Sequence, residues 1–272
     1  MRVHSFHRVA RDYMAKVTPH RHAHYQTLMH ELKLRGDEHL LDVGCGPGII
    51  ALEAVRRLPQ GRLTGIDISA NMIELAKGLA AEQGAANVEF QVGDALNLKF
   101  PDNSFDVVIS SLVFPWVPDQ KRHLAEIHRV LKPGGRLGLV TLSKIVYREF
   151  IGALRHAARR NPELFPIEKD FYRFLGAKVY NLKGAEEELR RAGMEVRRSF
   201  RLTTEDPVTP QDYLTRINSI VDENYLEGLS EEDKAKVRRD ILLALARRNG
   251  SLHFTESALF LLAEKKLDDA RC

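Results

Sequence analysis

A short apolar segment followed by a glycine turn and an apolar helix is the feature that most restricts the fold of this chain. The run His39–Val43 predicts a buried strand. Gly44, Gly46 and Gly48 follow at once, and the residues from Ile49 onward have the apolar spacing of a helix. Such a unit places a helix N-terminus at the carboxyl end of a parallel strand, where open α/β sheets bind their ligands.

The glycine turn alone leaves the identity of the ligand open. Glycine allows a ligand to lie against bare backbone because it has no Cβ. The spacing of Gly46, Gly48 and Ala51 also satisfies a loose dinucleotide-binding pattern. At this point a nucleotide-type cofactor of unstated kind explains these residues, and so does a turn that serves chain geometry alone.

Composition restricts the class of protein. The 272 residues are 44% hydrophobic and 29% charged, which is ordinary for a globular protein with a sizeable core. No apolar run approaches the roughly 18 residues of a membrane span, and no secretory signal is recognisable. Cys45 and Cys272 make no disulfide framework, and the net charge of +4 comes without a nucleic-acid-binding motif. We therefore expect a cytoplasmic protein that has no membrane span and no nucleic-acid partner.

Strands and helices alternate after the first unit, as in a doubly wound parallel sheet. Further strands are predicted at 61–67, 88–92, 105–110, 136–142, 194–202 and 252–264. Helices are predicted at 20–34, 70–83, 118–130, 147–160 and 184–191, and the stretch 207–250 is predicted to be mainly helical.

Polar residues recur where successive predicted strands end: Asp42, Asp67, Asp94 and Ser110. The carboxyl ends of parallel strands share one edge of a sheet, so we expect these side chains to lie close together. Asp67 follows the glycines by about 20 residues, where an acid accepts hydrogen bonds from ribose hydroxyls. An ordinary turn or helix-start role is the alternative for each acid.

Histidines are dense near the N-terminus, at His20, His22 and His24 among others. Residues two apart do not share a helix face, and no carboxylate or cysteine with ligand spacing accompanies them. We therefore predict no metal site.

Five segments in order carry a specific resemblance. They are LLDVGCGPG (40–48), GIDIS followed by Met72 (65–72), VGDAL (92–96), FDVVISSLVFPWV (105–117) and RVLKPGGRL (129–137). The series resembles the class I S-adenosylmethionine-dependent methyltransferases, and more narrowly their small-molecule branch with the ubiquinone/menaquinone and malonyl-acyl-carrier-protein methyltransferases. The resemblance is strong over 36–143. A dehydrogenase would explain the glycine spacing and Asp67, but neither Asp94 nor the turn at 132–135.

The resemblance implies the fold and the division of the chain. The fold is an α/β, doubly wound, mostly parallel sheet of seven strands, whose antiparallel seventh strand lies beside the sixth. The division is an N-terminal helical lid (1–35), a cofactor-binding core (36–143), a helical cap insertion (144–183), more core (184–206), a second cap insertion (207–250), and the last strand with a tail (251–272).

The resemblance also implies S-adenosylmethionine as the cofactor and a role for each matching residue. In this interpretation the loop Gly44–Gly48, with Cys45 and Gly46, packs against the methionine part and the ribose, and Asp42 orients the amino group. Asp67 holds the ribose hydroxyls, Ile68 and Met72 enclose the adenine, and Gly93, Asp94 and Ala95 meet its edge. Ser110 lies near the methionine carboxylate or the transferred methyl, and Tyr13 closes the site as a lid.

The expected reaction is methyl transfer to oxygen, carbon or nitrogen of a small molecule. Basic residues of the predicted cap, such as Arg155 and Arg173, favour an acidic or apolar acceptor. If the acceptor needs a base, position suggests His123, Tyr147 or Tyr172. A cofactor-binding regulatory protein without turnover is one alternative. A methyltransferase acting on RNA or protein is another, although Ser110–Val113 stands where amino-methylating nucleic-acid enzymes have Asn/Asp-Pro-Pro-Tyr.

Overall fold

A computed structural model describes residues 22–143, 147–165, 180–221, 226, 228–247 and 252–267. The strands are β1 (His39–Val43), β2 (Arg62–Asp67), β3 (Val88–Val92), β4 (Phe105–Ser111), β5 (Leu131–Leu142), β6 (Met194–Pro207) and β7 (His253–Lys265). The helices are α1 (His22–Leu32), α2 (Ile49–Val55), α3 (Ala70–Glu82), α4 (Gln120–Val130), α5 (Arg148–Arg160), α6 (Leu182–Arg191), α7 (Pro210–Val221) and α8 (Glu231–Ala246).

The strands form one sheet in the order β3-β2-β1-β4-β5-β7-β6. Strands β1 to β5 pair in parallel, whereas β7 is antiparallel to both of its neighbours. This confirms the predicted mostly parallel sheet with an antiparallel seventh strand beside the sixth. The chain leaves β1 for β2 and β3 on one side and reaches β4 and β5 on the other, so the switch point, where such sheets open a crevice, lies between β1 and β4.

Alternating side chains on the strands supply two hydrophobic cores. Leu40 and Val107 belong to the core that contains α2 and α3. Leu41 and Val108 belong to the core on the opposite face, which contains α4 and α6. Since successive side chains of a strand point to opposite faces, Asp42 lies on the α2–α3 face of the sheet together with Leu40.

The glycine turn is held tightly between its neighbours. Gly48 has a φ of 82°, and a Cβ there would lie 2.9 Å from both Ala76 Cβ and Phe90 Cζ. At Gly44 a Cβ would lie 2.2 Å from Val113 Cγ2. Glycine is therefore required at both positions, because neighbouring side chains occupy the space that a Cβ would need.

Helix α1 runs along β5 with its first turn at the carboxyl edge of the sheet. A Cβ added at Gly138, in the middle of β5, would lie 2.9 Å from Leu28. Two residues earlier in β5, Arg136 donates to the carbonyl oxygen of Leu32 at the end of the helix. At the other end of α1, His24 Nδ1 lies 3.2 Å from Glu256 Oε1 on β7.

The sixth strand is longer than predicted and extends to Pro207 rather than to residue 202. It continues because β7 stays paired with it beyond the end of β5, with Pro207 opposite His253. The predicted cap insertions contain α5, α7 and α8, and Asn161 Nδ2 donates a 2.8 Å bond to Asp240 Oδ2 between α5 and α8. None of the helices described is long and apolar enough to cross a membrane.

Candidate functional site

A cavity of about 360 Å³ opens at the carboxyl ends of β1, β2 and β4, beside the switch point. Its volume is in the range of small-molecule sites. The residues predicted to bind a cofactor that line this cavity are Asp42, Gly44, Cys45, Gly46, Asp67, Ile68, Met72, Gly93, Asp94 and Ala95. The sheet edge thus brings together most of the site predicted from the sequence.

The carboxylate of Asp67 ties the glycine turn to the second strand. Its Oδ2 accepts from the backbone N–H of Gly46 at 2.9 Å, and its Oδ1 accepts from the N–H of Ser69 at 2.9 Å. The carboxylate thus lies between the glycine turn and the start of α3, at the cavity lining.

Asp42 is the most unusual group of the site. Only 1% of the residue is exposed, and its Oδ2 has no hydrogen-bond partner. Burial, followed by the charge of Asp67, raises the pKa of Asp42 to about 7. A positively charged group in the cavity would give this carboxylate the partner that it lacks.

Cys45 is a buried, protonated thiol in the turn. Burial, with the nearby charges of Asp42 and Asp67, raises the pKa of Cys45 well above its usual value. Its Sγ lies 3.6 Å from the carbonyl oxygen of Gly46. A thiol in this state is a weak nucleophile, so Cys45 contributes wall to the cavity rather than chemistry.

The far end of the cavity has apolar sides and a polar tip. Ile68 is 46% exposed, whereas Met72 is buried at 3%. Asp94 is exposed, and its Oδ1 accepts from the N–H of Leu96 at 2.8 Å. These side chains can enclose a flat, apolar group and offer an acceptor at its edge.

Two predicted binding residues lie outside the cavity lining. Gly48 packs against Phe90 and Ala76, so its role is to let α2 start close to α3 and β3. Ser110 is fully buried on the other side of β4, and its Oγ lies 3.2 Å from His123 Nε2. Its neighbour Ser111 lines the cavity instead, with a buried Oγ that has no hydrogen-bond partner.

Of the three candidate bases, the structure describes His123 and Tyr147, and neither lines the cavity. His123 is fully buried behind the lining, and burial lowers its pKa to about 4. Tyr147 is buried beside β7, where its hydroxyl donates a 3.4 Å bond to Glu256. Tyr172 and the predicted lid residue Tyr13 lie outside the described residues.

Several cavity residues were not predicted. Tyr25 reaches the cavity from α1, and Leu112, Val113, Trp116 and Val117 reach it from the loop after β4. Leu112 has a φ of 60°, a rare conformation for a bulky side chain. The four loop residues could have been predicted, because they directly follow a predicted strand whose carboxyl end lies at the site. The helical spacing around Tyr25 does not indicate that this residue reaches the cavity.

Residues 41–139 match the family model described as a methyltransferase domain. A demethylmenaquinone methyltransferase of Symbiobacterium thermophilum is 41% identical over 112 residues, which are 40% of this chain and 45% of the relative. The match spans less than half the length of the curated relatives.

Solved structures resemble the chain over most of its length. The YcgJ protein from Bacillus subtilis has a TM-score of 0.62 at 22% identity and covers 91% of this chain and 100% of its own. A geranyl diphosphate C-methyltransferase from Streptomyces coelicolor, solved with S-adenosyl-L-homocysteine, has a TM-score of 0.57 at 18% identity and covers 94% and 83%. At these identities the likeness shows the fold.

Proposed function

We propose that this chain, whose residues 41–139 match a methyltransferase domain, is a class I S-adenosylmethionine-dependent methyltransferase that transfers the methyl group to a small-molecule acceptor. The domain match and the demethylmenaquinone relative support methyl transfer. We further propose a cytoplasmic location, because Cys45 is a free thiol in the middle of the site.

One observation carries the choice of cofactor: two buried polar atoms face the cavity without a partner, Asp42 Oδ2 and Ser111 Oγ. Buried polar groups in native proteins are almost always paired, so both atoms point to a polar ligand. An α-amino group next to a carboxylate, as in a methionine moiety, offers a cation for Asp42 and an acceptor for the Ser111 hydroxyl. The residues present therefore fit the cofactor.

The remaining groups of the cofactor have equally suitable residues. Asp67, which lines the cavity, would accept from the ribose hydroxyls. Ile68 and Met72 would enclose the adenine, with Asp94 at its edge. The glycine turn would lie against the ribose and methionine parts, because Gly46 has no atom within 4 Å of where its Cβ would be.

When bound, S-adenosylmethionine supplies a methyl group that is already activated on a positively charged sulfur. The chain's contribution is therefore alignment of the acceptor and exclusion of water. Tyr25, Leu112 and Trp116 provide apolar walls for this purpose. Asp42, which is buried in the lining, would keep the cofactor in one orientation.

The experiment that tests the cofactor is calorimetric titration with S-adenosylhomocysteine and, separately, with NADH. We expect micromolar binding of the first and none of the second. NADH binding alone would refute the proposal and make the glycine turn a dinucleotide site. Release of S-adenosylhomocysteine would then be followed across carboxylates, phenols, quinols and amines, and binding without turnover for any of them would favour a regulatory protein.

We propose an acidic or apolar acceptor, in line with the basic residues of the cap. Arg155 is exposed on α5, whereas Arg173 lies outside the described residues. Arg155→Glu should raise the KM of an acidic acceptor and leave the affinity for S-adenosylhomocysteine unchanged. Unchanged acceptor kinetics would count against a role of this arginine.

A further inference from the structure

Helix α4 fastens the loop that follows β3. Glu126 Oε2 accepts from the backbone N–H of Leu98 at 2.7 Å. Arg129, three residues further along α4, donates 2.8 Å bonds to the carbonyl oxygens of Leu98 and Phe100. Side chains three residues apart share a helix face, so a stripe along α4 holds successive points of the loop.

His123 extends this stripe one step towards the cavity. It is fully buried, and its ring is engaged on both sides. Nδ1 lies 3.2 Å from the carbonyl oxygen of Ala95, and Nε2 lies 3.2 Å from Ser110 Oγ. Since a carbonyl oxygen only accepts, Nδ1 carries the proton and Nε2 accepts from the serine hydroxyl. Burial lowers the pKa of His123 to about 4, so the ring stays neutral near pH 7.

The residue that His123 holds belongs to the cavity wall. Gly93, Asp94, Ala95 and Leu96 all line the cavity, whereas His123 does not. The bond to Ala95 fixes the direction of its carbonyl group, and with it the turn that carries Asp94. Glu126 and Arg129 act only from Leu98 onward. At the start of the segment the N–H of Gly93 donates to the carbonyl oxygen of Asp67 at 2.9 Å, and His123 holds the segment further along, at Ala95.

We propose that His123 is a positioning residue of the cofactor site, which aims the segment 93–96 at the ligand through its bond to the Ala95 carbonyl. This inference rests on the proposed function, because the ligand in question is S-adenosylmethionine. It replaces the idea of a general base at this position, since both ring nitrogens are engaged behind the wall. Ser110 acquires a role as the support of the ring rather than as a ligand of the cofactor.

The test compares His123→Leu with His123→Asn. Leucine fills similar space without a donor, whereas the side-chain amide of asparagine has a donor at the same distance along the chain as Nδ1. We expect the leucine variant to raise the Kd for S-adenosylhomocysteine about five- to tenfold, the scale of one lost hydrogen bond, and the asparagine variant to restore most of it. Hydrogen exchange at the Leu96 and Asn97 amides should be faster in the leucine variant, with or without ligand.

Arg129→Lys is the matched control, because it loses carbonyl contacts in the part of the loop outside the cavity. It should lower the melting temperature and leave the Kd unchanged. Wild-type affinity in His123→Leu, or an equal loss in both His123 variants, would overturn the proposal.

If the wild type does not bind S-adenosylhomocysteine, the proposed function fails, and the exchange measurement still decides whether His123 holds the segment 93–96. Should His123→Leu fail to fold, Ser110→Ala removes the support of the ring. This variant should show the same loop exchange with a smaller loss of affinity, and unchanged exchange would again overturn the proposal.

Discussion

Replacing Asp42 by asparagine should stabilise the ligand-free protein at alkaline pH while weakening its binding of cofactor. Asp42 is 99% buried with an unpartnered Oδ2, and its pKa is raised from 3.8 to about 7 by burial and by Asp67. The native state therefore retains a proton that the unfolded chain releases near pH 4. Stability contributed by this group declines as the pH rises from about 4 to 7 and is constant above.

The size of the effect follows from the difference of about three pKa units at about 1.4 kcal/mol each, or about 4 kcal/mol. An asparagine amide cannot ionise, but it leaves polar atoms of its own without partners, at a cost of about 1–2 kcal/mol. The net gain at pH 8 is then about 2–3 kcal/mol. For a domain of this size the melting temperature should rise by roughly 5–10 °C.

The assay is calorimetric melting of the wild type and Asp42→Asn, without ligand, between pH 5 and pH 8.5. The difference in melting temperature should be near zero at pH 5, grow up to about pH 7 and remain constant above. Ser111→Ala is the control, because it removes the other unpartnered atom of the cavity and cannot titrate. A difference for Asp42→Asn that does not change with pH would show that Asp42 does not titrate in this range.

Cofactor binding should have the opposite effect on Asp42, because it favours the charged carboxylate. A carboxylate that pairs with an ammonium group favours its charged form, so cofactor binding should release protons from Asp42. Titrations with S-adenosylhomocysteine at pH 7, in buffers of different ionisation enthalpy, should show release of about half a proton by the wild type. Asp42→Asn should bind at least about tenfold more weakly and lose this contribution. Such a variant would exchange binding for stability, as strained sites do.

Three further substitutions separate binding from packing. Asp67→Ala should weaken binding of S-adenosylhomocysteine by about 1–3 kcal/mol, measured by calorimetry, because it removes an acceptor of ribose hydroxyls; wild-type affinity would mean that the ribose lies elsewhere. Gly46→Val should abolish that binding, because its side chain would enter open cavity and because a φ of 54° strains a β-branched residue; retained affinity would show the ligand to be misplaced. Gly48→Ala should instead lower the melting temperature, because its Cβ would collide with Phe90 and Ala76; an unchanged melting temperature would contradict this packing role.

The fold was predictable because its signals are local. Strands β1 and β4 are short, mainly apolar runs, and β3 alternates apolar and polar residues. Helix starts carry capping side chains, such as Ser69, which accepts from the N–H of Met72. The packing of the cap helices was less predictable. Their apolar faces are recognisable in the sequence, but no motif indicates which part of the protein they pack against. The length of β6 depended on a partner strand that lies more than 45 residues away in sequence, which no local pattern specifies.

The sequence predicted that the site lies at the carboxyl edge of the sheet. It did not predict on which face of the sheet each side chain lies. Asp42 pairs in register with Ile109, so Ser111, two residues further on, shares its face and Ser110 does not. Ser110 and Ser111 are chemically identical neighbours, and a shift of one residue along a strand moves a side chain from the cavity face to the opposite, buried face. The left-handed Leu112 then turns the chain across the cavity directly after β4. The pairing of the two strands therefore sets which serine lines the cavity, and the buried His123 on α4 lies on the side that Ser110 faces.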